Sequence, residues 1–310
     1  MNAIPFVTLD DPRYGEPVQV SPLVRRVIAN NPSKYTYHGT GTYIVGHGDV
    51  AVIDPGPMLD EHREALVDAL AGDRVRAILV THCHSDHSPL SSWLRDASGA
   101  PTLAFGPHAR VDDDEDEDEL EDEIEPGKPL EETIDFDFEP DVRLNDGDVA
   151  ATGAGWTLRA VYTPGHTSNH MCYALEQEAA LFTGDHVMGW STTIVSPPDG
   201  DMRAYIESLH KVMARADATL WPTHGAPVTN PEPFLQAFLD HRLEREAQVL
   251  QAVRSGHTEI EAMVKELYAD VREELHKAAG RSVKSHLVKL AHDGKVTVEG
   301  TGKAARYFPT

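Results

Sequence analysis

Cysteine is nearly absent from this chain: only Cys83 and Cys172 occur in 310 residues, at no spacing that suggests a disulfide framework. Both are expected to be structural thiols. No stretch approaches the roughly 20 apolar residues that a membrane span requires. The opening M-N-A-I-P-F-V-T-L-D carries no basic segment followed by an apolar core. No membrane association is therefore expected, and the expected location is cytoplasmic. Positive charge is also scarce, with 27 Lys and Arg against 51 Asp and Glu and a formal net charge of -24. That balance argues against nonspecific affinity for nucleic acid, although it leaves room for a local basic patch. Half of the excess is local, since residues 112–125 contribute twelve acidic groups and removing them leaves -12. Such a block repels itself and buries little, so it reads as a solvated surface insert. The sharper alternative is a shield over an active-site mouth, or a dock for a cationic partner.

A 40% hydrophobic content is enough for a sizeable core, and the length suits one large or two ordinary domains. Apolar patterning predicts strands at 35–45, 50–54 and 75–80, with a helix at 59–71 between the last two. Beyond the acidic block, 142–144, 156–162, 171–175 and 179–183 read as short strands and 203–214 as a helix. This order suits sheet packed on sheet with helices outside. Residues 233–254 are helical in propensity. Thr258 and Glu261 form a capping-box pattern opening a helix at 259–268. Helices at 271–279 and 281–292 and a hairpin in D-G-K-V-T-V-E-G-T-G-K-A-A-R-Y-F complete a winged-helix pattern. The expected division is 1–230 as the main domain, 231–254 as a helical linker and 255–310 as the winged helix. Residues 272–310 hold eight Lys and Arg against four Asp and Glu, with Arg281, Lys284 and Lys289 on or near one helix. The module is either a nucleic-acid contact or, as favoured here, a packing domain whose basic side chains are merely solvated.

The richest stretch is Thr81-His82-Cys83-His84-Ser85-Asp86-His87. If it continues a strand, His82 and His84 project to one face and Cys83 to the other. A turn then swings Asp86 and His87 into the same space. His166 in T-P-G-H-T, Asp185 in F-T-G-D-H and His224 in W-P-T-H-G each follow a short apolar or aromatic run. Together His82, His84 and His166 make one three-nitrogen site. Asp86, His87 and His224 make a second, and Asp185 can bridge the two. The bland reading is a set of solvated histidines in a chain that holds 17 of them. An ordered series of seven argues against it.

This series resembles the metallo-β-lactamase superfamily, whose H-x-H-x-D-H pattern and later separate His, Asp and His are matched at all seven positions. The resemblance spans roughly residues 35–230 and includes G-T-G-T-Y-I-V (39–45) and V-A-V-I-D-P-G (50–56). G-H-T-S-N-H-M (165–171), L-W-P-T-H-G-A-P-V (220–228) and D-H-R-L-E-R-E-A-Q-V-L (240–250) resemble a narrower branch, the endoribonuclease-type β-lactamase-like protein 2 group. The resemblance implies an α/β fold, a four-layer αβ/βα sandwich with metals at one edge, joined to the small C-terminal winged-helix-like domain.

Two divalent cations are the expected cofactors. Zinc is favoured, and manganese or iron suit the same ligands. Zinc lowers the pKa of bound water towards about 7, so a metal-bridging hydroxide is the expected nucleophile, with no Ser or Cys required. Asp86 is the candidate to orient it and accept its proton. His170 is the second catalytic candidate, as a proton donor to the leaving group or, slightly preferred, as a support for the ligand loop. Asp54 is read either as an acceptor behind a ligand imidazole or as a turn former before Pro. His186 is expected to point away, and the remaining histidines, including His38, His108 and His241, to be surface or capping residues. The expected substrate is a small ester, thioester or lactone, or a phosphodiester in single-stranded RNA. By resemblance, a bridging Asp at 185 is foreign to zinc β-lactamases and disfavours a dedicated one. A β-lactamase, and a winged-helix nucleic-acid-binding protein with a non-catalytic metal domain, are the alternatives.

Overall fold

Near-continuous burial along the central strands builds two sheets that are covered on both sides. In the computed structural model, residues 4–109, 133–269, 272 and 276–310 are described. The acidic block at 112–125 lies outside them. The first sheet takes seven strands in chain order, β1 (Val18–Ser21), β2 (Val24–Ile28), β3 (Gly41–His47), β4 (Asp49–Ile53), β5 (Arg74–Leu79), β6 (Thr102–Ala104) and β7 (Val142–Arg143). The second takes five, ordered β12-β11-β10-β9-β8, from β8 (Val149–Gly153), β9 (Trp156–Tyr162), β10 (Met171–Leu175), β11 (Ala180–Gly184) and β12 (Thr219–Pro222). Tyr43, Val45, Ala51 and Ile53 face Tyr173, Leu175 and Phe182 across the gap between sheets. The alternate residues Ile44, Val50 and Val52 pack outward against Leu66 of helix α1 (Asp60–Ala69) and Leu90 and Leu94 of α2 (Leu90–Ser98). On the far side Cys172, Ala174 and Leu181 meet α3 (Met202–Arg215) and the first half of α4 (Pro231–Arg254). Helix, sheet, sheet, helix is the four-layer order. Each fully buried large apolar side chain in it is worth roughly 1.5–3 kcal/mol, and near-continuous apolar strands are what double burial demands.

Helix α4 serves two cores. Phe234 and Phe238 belong to the main domain, whereas Val249 and Val253 pack with Met263 of α5 (Ile260–Leu267) and Val283 and Leu287 of α6 (His276–His292). The antiparallel pair β13 (Val296–Glu299) and β14 (Arg306–Pro309) closes this winged-helix module.

Several local expectations are corrected. The strand expected from 35 begins at Gly41, because Ser33 and Asn31 bind the backbone of 35, 36 and 40 and fold that stretch into a loop. β5 stops at Leu79, so His82 and His84 lie beyond the strand, where His84 forms only an isolated bridge to Ile134. The capping box does not form: Glu259 is the N-cap of α5 and no side chain caps it. The two helices expected at 271–279 and 281–292 are one from His276 to His292, running through Gly280, and 270–271 and 273–275 lie outside the described residues. His62, His108 and His286 are buried rather than superficial. Strands β1, β2, β6 and β8 and helix α2 were not among the expected elements.

Candidate metal centre

Parallel pairing of β4 with β5 and of β11 with β12 brings their carboxyl ends to one edge of the sandwich. The loops leaving β5, β9, β11 and β12 carry His82 to His87, His166, Asp185 and His224. All seven candidate ligands meet there. Three groups, His82–His84–His166, His82–His87–Asp185 and Asp86–His87–His224, each have ligand atoms within 4.8 Å of one another. Asp185 lies between the two ends of the cluster, with Oδ1 at 3.7 Å from His87 Nε2 and Oδ2 at 3.4 Å from His224 Nε2 and 4.0 Å from His166 Nε2.

Hydrogen bonds on the far ring atoms set the tautomers. Asp54, at φ 50°, occupies the left-handed region that Asp tolerates better than most residues. Its carboxylate accepts from Thr81 N (2.8 Å), Thr81 Oγ1 (2.8 Å), His87 Nδ1 (2.9 Å) and Thr223 Oγ1 (3.2 Å). Because the Thr81 hydroxyl proton goes to Asp54, the 3.0 Å contact with His82 has Nδ1–H donating to Thr81 Oγ1. His166 Nδ1 donates to Ile194 O at 2.6 Å, and His224 Nδ1 to Gly39 O at 3.1 Å. The Nε2 atoms of His82, His87, His166 and His224 are therefore left facing inward. His84 differs, presenting Nδ1 at 2.8 Å from His82 Nε2 and 3.1 Å from His166 Nε2. Thr40 Oγ1 donates to Asp86 Oδ2 at 3.0 Å.

This donor set fits divalent cations. His87 Nε2 and Asp185 Oδ1 are buried without a hydrogen-bond partner, a costly arrangement for protein alone and the ordinary one for metal ligands. Burial, then neighbouring imidazoles, hold His82 and His84 well below the usual histidine range, so both offer neutral lone pairs. At the other end burial opposes protonation of His224, yet the Asp185 and Asp86 carboxylates outweigh it and push its pKa up to about 10. Two buried carboxylates thus call for positive charge, which a cation can supply.

His170 is fully buried beside the cluster. Its Nε2 accepts from Asp185 N at 3.2 Å and its Nδ1 lies 2.9 Å from Thr163 Oγ1. His186 turns its ring to Tyr205, 4.9 Å between centroids, and joins none of the ligand groups. Cys83 points away and accepts from Asn169 Nδ2, while burial pushes both thiols up to about 12. Thr40, Thr81, Thr223, Gly39 and Ile194 were not legible as site residues. Thr81 and Thr223 had one available signal, a hydroxyl residue directly before a ligand histidine. Ile194 had none.

A two-sheet hydrolase with a His and Asp cation site at one edge is the class that this fold and geometry define. The metallo-beta-lactamase superfamily model matches residues 37–224, and the chain belongs to that superfamily. A beta-lactamase associated winged helix domain matches residues 260–304. The chain is 32% identical over 306 residues to an atrochrysone carboxyl ACP thioesterase of Aspergillus chevalieri, covering 94% of this chain and 88% of that protein. It is 30% identical over 292 residues to a beta-lactamase-like protein 2 homolog of Caenorhabditis elegans, covering 91% and 88%. Among solved structures, a beta-lactamase domain protein from Burkholderia ambifaria superposes with a TM-score of 0.76 at 23% identity, covering 96% of this chain and 95% of that one. That likeness shows the shared fold.

Proposed function

We propose that the chain hydrolyses small acyl thioesters, and esters or lactones of similar size, at a centre holding two divalent cations, zinc first. The observation that carries this is the convergence of all seven His and Asp side chains with their inward lone pairs set by fixed acceptors. The similarity over 94% of this chain to a protein named as an ACP thioesterase favours the acyl bond. His82 Nε2, His84 Nδ1 and His166 Nε2 would hold one cation, Asp86, His87 and His224 the other, and Asp185 both. When bound, such ions supply Lewis acidity and water that ionises near neutral pH. Asp86, steadied by Thr40, accepts the proton of the attacking water. His170 acts as a support, since its Nε2 is engaged by Asp185 N and it does not line the cleft. Tyr35, Thr36, Met188 and Ile194 line a small cleft beside His84, Asp86, His166, Asp185 and His224, and Tyr35, Met188 and Ile194 give it an apolar flank suited to an acyl group.

A phosphodiester in single-stranded RNA is the second reading, motivated by the branch resemblance and the basic C-terminal module. Ion pairs weigh against it. Lys289 Nζ lies 2.7 Å from Glu246 and 2.9 Å from Asp293, Arg306 lies 3.1 Å from Glu259, and Arg281 is buried, so few of these cations are available to phosphates. The residue division 1–230, 231–254 and 255–310 is kept as part of this proposal, as is action on a substrate in the aqueous phase. Among the described residues no helix is long and apolar enough to cross a membrane. A panel of acyl thioesters, esters, lactones, nitrocefin and RNA tests the reading. Turnover of acyl thioesters, abolished in Asp86→Ala, is the expected result. Cleavage of RNA alone would overturn it.

A further inference from the structure

Arg242, in the middle of α4, is 4% exposed, yet among the described residues no carboxylate pairs with it. Burying a guanidinium without a counter-ion costs stability, so its return must be sought in what it holds. The group lies over the Tyr205 ring, 5.1 Å from its centroid, and Nη2 donates to the carbonyl oxygen of Thr193. Thr193 is itself a junction. Its hydroxyl shares one proton between Asp185 O at 2.8 Å and His186 O at 3.0 Å, and Tyr205 Oη donates to His186 O at 2.9 Å. The next carbonyl, Ile194 O, receives His166 Nδ1–H. One short strap, 193–194, thus touches the backbone of one candidate ligand and sets the tautomer of another.

We infer that Arg242 is a positioning residue that acts through this strap to orient His166 and Asp185 from outside the metal site. The inference rests on the two-cation reading above. The opposite end of the centre depends on it only through the shared Asp185, because His87 and His224 are oriented by Asp54 and Gly39. Loss of Arg242 therefore acts mainly on the His166 end. Lysine cannot replace it, since a single ammonium lacks the flat face that lies on Tyr205 while a second nitrogen reaches Thr193. Partners that orient a ligand imidazole are worth tenfold to a hundredfold in metal affinity.

The test uses full-length metal-free protein titrated with Co(II) against a competing chelator, following the visible ligand-field spectrum and the binding steps. Arg242→Lys and the near-isosteric Thr193→Val, each checked for native circular dichroism, should weaken one binding step by tenfold or more. The other step should stay within about twofold, with an altered spectrum and a lower kcat at similar KM. Glu246→Gln, which loosens α4 from Lys289 but leaves Arg242 in place, should bind both ions as the wild type does. Unchanged Co(II) binding in both strap variants would overturn the inference. Equal weakening of both steps, or an equal loss in Glu246→Gln, would also overturn it by showing general loosening. A wild-type protein that takes up fewer than two ions would instead remove the reading beneath it, and the inference with it.

Discussion

Asp54→Asn is the sharpest probe of how the protein builds its centre. Asparagine keeps the shape and tolerates the positive φ of 50°, so the backbone has little reason to move. The chemistry changes sharply. Oδ2 accepts three donors, from Thr81, His87 and Thr223, and Oδ1 accepts Thr81 N. An amide nitrogen in the Oδ2 place faces three donors, and the flipped amide faces Thr81 N. The hydroxyls can rotate away, whereas the fully buried His87 Nδ1–H cannot. One or two buried donors left unsatisfied cost about 1–3 kcal/mol each. A net loss of about 2–3 kcal/mol, or roughly 4–10 °C in melting temperature for a domain of this size, is expected for the metal-free protein. The His87 end of the centre should bind its cation about 10–100-fold more weakly. Calorimetric melts and Co(II) titration read both quantities. Wild-type melting together with wild-type affinity would refute the role argued for Asp54.

Other outcomes follow from the same geometry. A Cβ at Gly165, which has φ +138°, would stand 2.4 Å from Tyr205 Cα, so Gly165→Ala should cost about 2–4 kcal/mol in urea unfolding and displace His166. Burial, followed by nearby Arg242 and Arg245, pulls the His286 pKa down to about 3 in the fold, against about 6.5 in the unfolded chain. Its effect on stability is therefore absent above pH 6.5. As pH falls from there towards 3 the unfolded chain takes up the proton and stability drops, by about 2 kcal/mol between pH 7 and 5. His286→Phe should lose that much less over the same interval in paired denaturant titrations. Dialysis against a chelator should abolish hydrolysis and lower the melting temperature, and saturating metal at a hundred times its Kd should return about 2.7 kcal/mol. Elemental analysis of protein purified without added metal then identifies the ion.

The ligands were legible because each stands at a fixed place in a local pattern: a short apolar run, a turn, then His or Asp. The strand spacing of two expected for His82 and His84 does not apply, since β5 ends at Leu79, but the loop that follows a strand is a property of a few consecutive residues, and all seven side chains do meet. The two-layer apolar patterning of 43–53 and 171–182 likewise announced sheets packed on sheets. Tertiary structure alone decided what stands behind the ligands. The carbonyls of Gly39 and Ile194 and the guanidinium of Arg242 carry no signature, because a backbone oxygen is the same in every residue and a buried arginine reads as a surface one. Equally invisible were the start of β3 at Gly41, set by the loop hydrogen bonds of Ser33 and Asn31, and the single helix α6 through Gly280. Spacing can propose which atoms bind. Only the folded chain fixes which nitrogen of each ring faces inward, since that depends on the acceptor it brings to the other: Thr81 for His82, Asp54 for His87, Ile194 for His166 and Gly39 for His224.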